Sequence, residues 1–555
     1  MMRIGNASGF YGDRFSAVEE MLTGGALDVL TGDYLAELTM LILARDRHRD
    51  PALGYARTFL RQLETGLGLA LERGVRIVVN AGGLNPAGLA SALSELAAKL
   101  GLAPKIGYVT GDELPPGDAL AANAYLGAFG IAQCLAAGAD VVVTGRVTDA
   151  SLVVGPAIAR FGWGRTDHDA LAGATVAGHI LECGAQATGG NYAFFTELAD
   201  MRHPGFPIAE LSEDGSCVIT KHDGTGGAVT VETVTAQLLY EIGAPAYLGP
   251  DVVAHLDSVA LAEAGPDRVA VSGVRGSPPP PTLKVGANRL GGYRNAMTFV
   301  LTGLDIEAKA ALVREQLTAS VGKEGLEFVL ARTDHADPDS TETASALLHV
   351  HLRDADATRV GRAFSQAAVE LALTSYPGCT LTTPPGDGLP FGVFTAGSVE
   401  QGDVPHVAVL PSGERVAIPP PEVTEEPPVP QSRPDPIRAR PEVTTFRVPL
   451  GTVVGARSGD KGGDANVGVW ARNPRAYEWL CGYLTVDELR RLLPETAGLE
   501  IDRYELGNLR ALNFVIHGLL GEGVAASTRF DPQAKGLGEW LRARLVDIPV
   551  ALGDA

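Results

Sequence analysis

Hydrophobic and polar positions recur in a fixed order along the first 160 residues. A short apolar run is followed by a small polar turn, and the turn by a segment with helical spacing. Such alternation predicts parallel strands joined by right-handed crossovers. We therefore expect an α/β fold with a doubly wound, mostly parallel sheet. The predicted strands are Arg3–Ala7, Val29–Asp33, Val75–Val79, Lys105–Thr110 and the run Val141–Val143, with a helix carrying Asn123, Tyr125 and Gly127 before the last of them.

The stretch Asp140–Ser151, DVVVTGRVTDAS, is the most informative of these units. Three valines form a run of the kind buried in a parallel sheet, and the run ends in a polar turn containing glycine. Open α/β sheets bind ligands where their strands end in such turns. Asp149 or Ser151 could instead cap the next helix, since both residue types are common caps.

The polar turns after the predicted strands should lie at one edge of the sheet and form a single site. Arg146 would pair with a carboxylate or phosphate. Asp149 or Asp33 would act as general acid or base, and the NAGGLNP turn would bind an anion through backbone N–H groups. A surface acidic pair with Glu37 is the alternative for Asp33. The expected substrate-binding residues of these turns are Asn6, Ser8, Asn80, Gly82, Gly83, Asn85, Asp112, Asn123, Thr144, Gly145 and Ser151.

Further candidates lie between residues 167 and 227. A predicted helix places His179, Glu182 and Cys183 on one face, which is a metal-binding spacing, but no third ligand follows at a predictable distance and we predict no metal. The glycine-rich loop after this helix would form a binding wall, and a later loop would place a cation beside backbone donors, although a hairpin with surface charges is equally compatible. These loops add Gly189, Gly190, Asn191 and Lys221 to the substrate-binding candidates.

The domain organisation follows from composition. Residues 1–410 form the predicted N-terminal α/β domain, with an α+β second half and a possible sub-boundary near residue 200. Residues 411–442 are rich in proline and charge and are typical of an extended linker. Residues 443–555 form a compact unit whose strands and helices predict a small ferredoxin-like α+β domain. A charged loop in this unit, SGDKGGDAN, fits a tight hairpin.

Net charge and composition argue against several classes of partner and cellular location. The net charge of -21 and pI near 5.0 argue against nucleic acid or an anionic membrane as partner. Five scattered cysteines without a CxxC pair suit a reducing compartment. We find no secretion signal and no run of 18 apolar residues, so we expect a soluble cytoplasmic protein. The cofactor is unknown, because no GxGxxG fingerprint for NAD or flavin and no P-loop ending is present.

Taken together, the motifs resemble those of the acyclic terpene utilization (AtuA) family along nearly the whole chain. The N-terminal motifs are IGNASGFYGDR, LTGDYLAELTM, NAGGLNP, VTGDEL, NAYLGA, DVVVTGRVTDASL, HILECGAQATGGNY and TKHDGTGG, and the C-terminal motif GARSGDKGGDANVGVWAR resembles the small ferredoxin-like domain found with that family. The resemblance implies a role in breaking down acyclic terpenes through branched acyl-CoA thioesters. It implies no catalytic residue set, so the site candidates depend on the motifs alone.

Two functions are therefore expected from the sequence. The first is an enzyme of acyclic terpene or branched-chain acyl-CoA catabolism, a lyase, hydratase or hydrolase acting on a carboxylate or CoA thioester. The alternative is a non-catalytic binding or assembly subunit of a carboxylase-linked acyl-CoA pathway. The expected partners are a small-molecule acid or acyl-CoA, further copies of the chain in a homo-oligomer, and an acyl-CoA carboxylase.

Overall fold

The computed structural model describes residues 1–427 and 444–552. The chain divides into two compact units, at 288/289 and 393/394. The first unit comprises Met1–Asn288, Phe394–Ser527 and Asp531–Ala555, and the second comprises Arg289–Val393 with Thr528–Phe530. The predicted N-terminal and C-terminal domains thus both contribute to the first unit.

The large sheet of the first unit has a parallel centre, as predicted. Its strands follow the order β11-β12-β8-β7-β1-β2-β3-β6-β4-β19-β20, and β1, β2, β3, β6 and β4 are mutually parallel. The remaining strands pair antiparallel and were not predicted as part of this sheet. The bounds are β1 Met2–Asn6, β2 Val29–Gly32, β3 Arg76–Val79, β4 Ile106–Thr110, β6 Val141–Thr144, β7 Pro207–Leu211, β8 Cys217–Lys221, β11 Ala260–Glu263, β12 Val269–Ser272, β19 Val407–Val409 and β20 Arg415–Ala417.

Helices cover this sheet, and their bounds agree with the predicted alternation. Val141, Val142 and Val143 are all at most 1% exposed, which is the burial on both faces expected of a central parallel strand. The carboxyl ends of the parallel strands therefore point to one edge. The helices of the first unit are α1 Ala17–Gly24, α2 Glu37–Arg49, α3 Arg57–Arg73, α4 Pro86–Lys99, α5 Phe129–Ala136, α6 Ser151–Phe161, α7 His168–Leu181, α8 Val231–Leu238, α11 Pro474–Tyr483, α12 Val486–Leu492 and α13 Leu537–Ala543.

One local prediction is wrong. The segment predicted as a helix around Asn123 is the strand β5, Ala121–Ala124, which pairs with residues 285–288 of the long strand β14, Thr282–Thr302. Within the predicted linker 411–442, the short strand β20 pairs with β19. Residues 428–442 of that linker lie outside the described residues. A small antiparallel sheet completes this region, with β9 Ala246–Leu248, β10 Val253–His255 and β13 Arg275–Ser277.

The C-terminal part of the first unit is a ferredoxin-like domain. Its four antiparallel strands follow the order β22-β23-β25-β24, with helices between β23 and β24 and after β25. This is the order of a βαββαβ sandwich with its last strand placed first. The SGDKGGDAN segment comprises the end of β22, the turn Gly462–Gly463 and the start of β23, so it is a hairpin. The bounds are β21 Thr445–Pro449, β22 Val454–Lys461, β23 Asp464–Ala471, β24 Ile501–Leu506, β25 Ala511–Ile516 and β26 Leu545–Pro549, and β21 pairs with β26.

The second unit is an α+β structure with a core of its own. Residues 293–302 of β14 pair with β16, β16 pairs with β15, and buried side chains such as Phe299 and Phe364 fill the core. This agrees with the predicted α+β second half of the N-terminal domain. Its elements are β15 Leu326–Ala331, β16 Ser345–Asp354, β17 Thr380–Leu381, β18 Leu389–Glu400 (which continues into the first unit), α9 Ile306–Val321 and α10 Phe364–Glu370.

Candidate active site at the sheet edge

Asp33 and Asn80 lie side by side at the carboxyl ends of β2 and β3. The Asn80 side-chain amide donates to Asp33 Oδ1 over 2.5 Å, and Asn80 Oδ1 accepts the N–H of Tyr34 over 2.7 Å. Burial, reinforced by the negative charge of Asp149, raises the pKa of Asp33, and the nearby charge of Arg146 opposes that shift. Asn80 thus holds a buried carboxyl group whose neutral form is favoured.

Arg146 is the buried cation of this edge, with 4% of its surface exposed. Its Nη1 donates to Asp149 Oδ1 over 2.8 Å, and its guanidinium carbon lies 4.1 Å from the ring centroid of Tyr125. Within the described residues, its buried Nε has no hydrogen-bond partner. Arg146 therefore has a donor that a bound anion can satisfy.

Asp112 fixes the backbone that carries Arg146. Its Oδ2 accepts the Arg146 N–H and the Asn123 side-chain amide, each over 2.8 Å. A Cβ atom at Gly145 would lie 2.4 Å from Asp112 Oδ1, so no larger residue fits there without movement. Burial raises the pKa of Asp112 to about 6. Asp112 and Asn123, both predicted to bind substrate, are engaged with each other and with the turn.

Glu182 and His179 form a buried pair that the sequence suggested only as part of a metal site. His179 Nδ1 and Glu182 Oε1 are 2.9 Å apart at the end of α7. In the described part of the chain, neither His179 Nε2 nor Glu182 Oε2 has a hydrogen-bond partner. Burial is the main cause that raises the pKa of Glu182 and lowers that of His179 to about 4. A neutral carboxyl beside a neutral imidazole can donate or accept a proton.

Asn6 places this pair at the sheet edge. Its side-chain amide donates to the carbonyls of Leu181 and Glu182, so the end of β1 is tied to the end of α7. The neighbouring thiol of Cys183 has a raised pKa, because burial and the charge of Glu182 disfavour the thiolate. Among the described residues, no group of three His, Cys, Asp or Glu side chains is arranged to hold a metal ion.

Glu37 and Lys284 are further charged groups of this edge. Burial raises the pKa of Glu37, and its Oε2 is a further buried atom without a hydrogen-bond partner among the described residues. Lys284 Nζ lies 4.7 Å from the Tyr125 ring centroid, on the ring that Arg146 also contacts. The charges of Glu37, Arg146 and Asp149 all act on Lys284. The charged groups of this edge, which we call the cleft, therefore interact with one another, and Lys284 is exposed to solvent.

Other predicted site residues have partners within their own turns. In NAGGLNP, the N–H groups of Gly83 and Asn85 donate to the carbonyls of Asn80 and Gly82, and the N–H of Leu84 donates to Gly54. Asn85 caps α4, accepting the N–H of Gly88 over 2.9 Å. These backbone donors serve the turn, and the anion-binding role of the segment stays a prediction.

The remaining candidates are also locally bonded. Ser8 donates to the Phe10 carbonyl over 3.0 Å, Thr144 donates to the Gly145 carbonyl over 2.9 Å, and Ser151 Oγ lies 2.6 Å from Thr148 Oγ1. Lys221 pairs with Asp267 at 3.1 Å. In the loop of Gly189, Gly190 and Asn191, the asparagine amide donates to Gln186 over 3.2 Å. Their participation in binding stays a prediction.

Comparison with known families accounts for most of the chain. Residues 2–410 match the profile of the acyclic terpene utilisation family protein AtuA, and residues 448–547 match the AtuA ferredoxin-like domain. The chain belongs to the AtuA family. A search of curated proteins returned no match. The resemblance inferred from the motifs and the predicted fold class are both confirmed.

The hydropathy of the helices was also compared with that of membrane spans. Within residues 1–427 and 444–552, no helix is both long enough and apolar enough to cross a lipid bilayer.

Proposed function

We propose that this AtuA-family protein is an acid–base enzyme of branched acyl-CoA or related carboxylic acid breakdown, acting as a lyase or hydratase. Its substrate would be an anionic acyl compound, either a free carboxylate or a CoA thioester. Glu182 would transfer the proton, and Arg146 would hold the substrate oxygen on which negative charge develops.

The clustering of unpaired buried polar atoms carries this proposal. Folded proteins pair nearly all such atoms, so each exception needs an explanation. In the described part of the chain, five such unpaired atoms surround this cleft. Gln237 belongs to the group because its amide donates to the carbonyl of His179 over 3.1 Å. The five atoms are Glu37 Oε2, Arg146 Nε, His179 Nε2, Glu182 Oε2 and Gln237 Oε1.

The protonation states favour proton transfer. A general acid works best when its pKa approaches the working pH, and burial raises the pKa of Asp33, Glu37 and Glu182 in that direction. Arg146 stays charged and can stabilise a carboxylate or an enolate oxygen. The two types of group lie at one sheet edge, which is where open α/β sheets bind ligands.

Acid–base chemistry is favoured over a covalent hydrolytic route. A cysteine nucleophile needs a depressed pKa, whereas burial and Glu182 raise the pKa of Cys183. Ser151 Oγ lies 2.6 Å from Thr148 Oγ1, and within the described residues no histidine forms a hydrogen bond with it. A lyase or hydratase needs an acid, a base and an anion holder, which this cleft supplies.

The test is turnover of an acyl-CoA panel by the purified full-length protein. The panel contains branched 3-hydroxyacyl-CoA and 2-enoyl-CoA thioesters, and products are identified by mass spectrometry. Carbon–carbon cleavage or loss or gain of water supports the proposal. Release of free CoA as the sole reaction would identify a hydrolase, and no turnover with co-purification of a carboxylase would identify an assembly subunit. Either result overturns the proposal.

A variant then assigns the proton transfer. Glu182→Gln keeps the shape of the side chain and removes its proton, so kcat should fall by about 10²–10⁴-fold. Glu95→Gln, on the exposed face of α4, is the matched control and should keep wild-type kcat. Unchanged kcat in Glu182→Gln would remove Glu182 from the mechanism.

A further inference from the structure

The hairpin turn of the ferredoxin-like domain reaches the cleft. β22 and β23 are joined by Gly462 and Gly463, and Gly462 has a φ of 66°, a conformation that favours glycine. Lys461, the last residue of β22, donates from Nζ to the carbonyl of Glu241 over 3.1 Å. In the described residues this ammonium has no second hydrogen bond, although it carries three N–H donors.

Buried contacts fix the position of this hairpin. Asn466 accepts the N–H of Glu241 over 2.9 Å and donates to the carbonyl of Leu239 over 2.7 Å. Arg457 lies with its guanidinium carbon 4.1 Å from the Tyr240 ring centroid. Asn513 donates to the carbonyl of Gly243 over 2.6 Å. Residues 239–243, which follow α8, therefore fix the position of the hairpin. These contacts position Lys461 together with its own hydrogen bond.

Lys461 and Lys284 converge on one wall of the cleft. Lys284 Nζ lies 5.9 Å from the Phe394 ring centroid, and a Cβ atom at Gly462 would lie 3.7 Å from the same ring. Both lysine side chains are exposed to solvent. Desolvation by the neighbouring protein groups, followed by the positive charge of Lys284, lowers the pKa of Lys461, and the carboxyl groups of Glu241, Glu37 and Glu182 oppose that shift. Two neighbouring cations attract an anionic ligand.

We infer that Lys461 and Lys284 form an anion-binding subsite for a carboxylate or phosphate group of the substrate. The ferredoxin-like domain would thus complete a site otherwise built from the N-terminal domain. The inference rests on the proposed function for the identity of the substrate. The acidic groups facing this subsite are Glu37, Asp149, Glu182, Glu241 and Asp460. Burial raises the pKa of Glu37, Glu182 and Asp460, which reduces their negative charge.

The main test separates binding from chemistry. Lys461→Met keeps the length of the side chain and removes its charge, and we expect KM to rise at least tenfold with kcat changed less than threefold. Lys461→Arg should recover most of the affinity. Lys99→Met, on an exposed residue of α4, is the matched control. A merely structural lysine would lower the melting temperature and leave KM unchanged, and that result would overturn the inference.

A second arm identifies the anion. The same variants are assayed with the CoA thioester and with the pantetheine thioester, which lacks the nucleotide phosphates. A KM increase with both substrates indicates a substrate carboxylate, and an increase with the CoA thioester alone indicates a phosphate. Both results support the subsite, and an increase with neither overturns it.

Direct binding separates this inference from the proposed function. Calorimetry of glutarate and of inorganic phosphate with the full-length protein needs no turnover. If the acyl-CoA panel is inert but Lys461→Met weakens binding of either probe at least tenfold, the subsite stands and the enzymatic proposal fails. If turnover is found but Lys461→Met changes neither KM nor probe binding, the enzymatic proposal stands and the subsite fails.

Discussion

Two buried arginines of this protein have different surroundings. Arg503, on β24 of the ferredoxin-like domain, is fully buried, and its guanidinium donates to the carbonyls of Leu484 and Cys481 and to Glu505, over 3.1, 2.9 and 3.0 Å. Arg146, at the sheet edge, is nearly as buried but keeps Nε without a partner in the described residues.

The difference separates a structural cation from a ligand-binding one. Arg503 satisfies carbonyls at the end of α11, where helices leave such groups unpaired. Arg146 lies against an aromatic ring and beside a half-buried carboxylate, in a cleft with other unpaired atoms. The type of residue and its burial are the same, so the unpaired donor is what points to function.

Removing the Arg146 charge should give the largest effect. We expect Arg146→Gln to lower kcat/KM about 10³-fold, on the order of 4 kcal/mol of transition-state stabilisation, because the cation faces the developing negative charge. Asp149 is half-buried and can be hydrated when its partner is lost, so the free energy of unfolding should change by only about 1 kcal/mol. Steady-state kinetics and urea denaturation measure both quantities. A folded variant with full turnover and ligand affinity would contradict the assignment.

Arg503 should show the opposite pattern. Arg503→Met leaves buried carbonyls and Glu505 without their donor, and we expect the free energy of unfolding to fall by about 3–5 kcal/mol. kcat/KM per folded molecule should stay within about twofold, since Leu484, Cys481 and Glu505, to which it donates, belong to the ferredoxin-like domain. Arg475→Met, on an exposed arginine of α11, is the control and should be neutral. A loss of activity in Arg503→Met without a loss of stability would break the comparison.

The sequence predicted the part of this site that depends on local patterns. The valine run of β6 and the turn after it placed Arg146 and Asp149 correctly at the sheet edge, because a buried strand and its turn are encoded within a few residues. The segment of β5 was predicted as a helix from the alternation of strands and helices. Pairing of β5 with β14, far along the chain, overrides that local expectation.

The features missed from the sequence all depend on long-range packing. The spacing of His179 and Glu182 suggested a metal site, but their burial beside Asn6 follows from the packing of α7 on β1. Lys461 lies in the hairpin between β22 and β23, which the sequence predicted only as a tight hairpin with charged residues. Its contact with Glu241 depends on how the ferredoxin-like domain packs after α8, which no spacing encodes.

Substitution of Asp112 should give the smallest of the three principal free-energy effects. Asp112 lies near Arg146, but its side chain has hydrogen-bond partners as that of Arg503 does, so it tests whether an unpaired atom is what marks a functional residue. Burial raises its pKa from 3.8 in the unfolded chain to about 6. Folding therefore favours the protonated acid, so its contribution to stability is complete below about pH 4 and is lost as the pH rises through about 6. The shift corresponds to a loss of about 2–3 kcal/mol.

Asp112→Asn isolates this contribution, since the amide oxygen can still accept the N–H groups of Arg146 and Asn123. The difference in unfolding free energy between wild type and variant should shift in favour of the variant between pH 4 and pH 7, as measured by urea denaturation. kcat/KM should change by less than about threefold, because a carboxyl group with its own partners does not face substrate. If the difference shifts in favour of wild type instead, the two hydrogen bonds stabilise the ionised carboxylate by more than burial destabilises it. The folded protein would then favour the ionised form of Asp112.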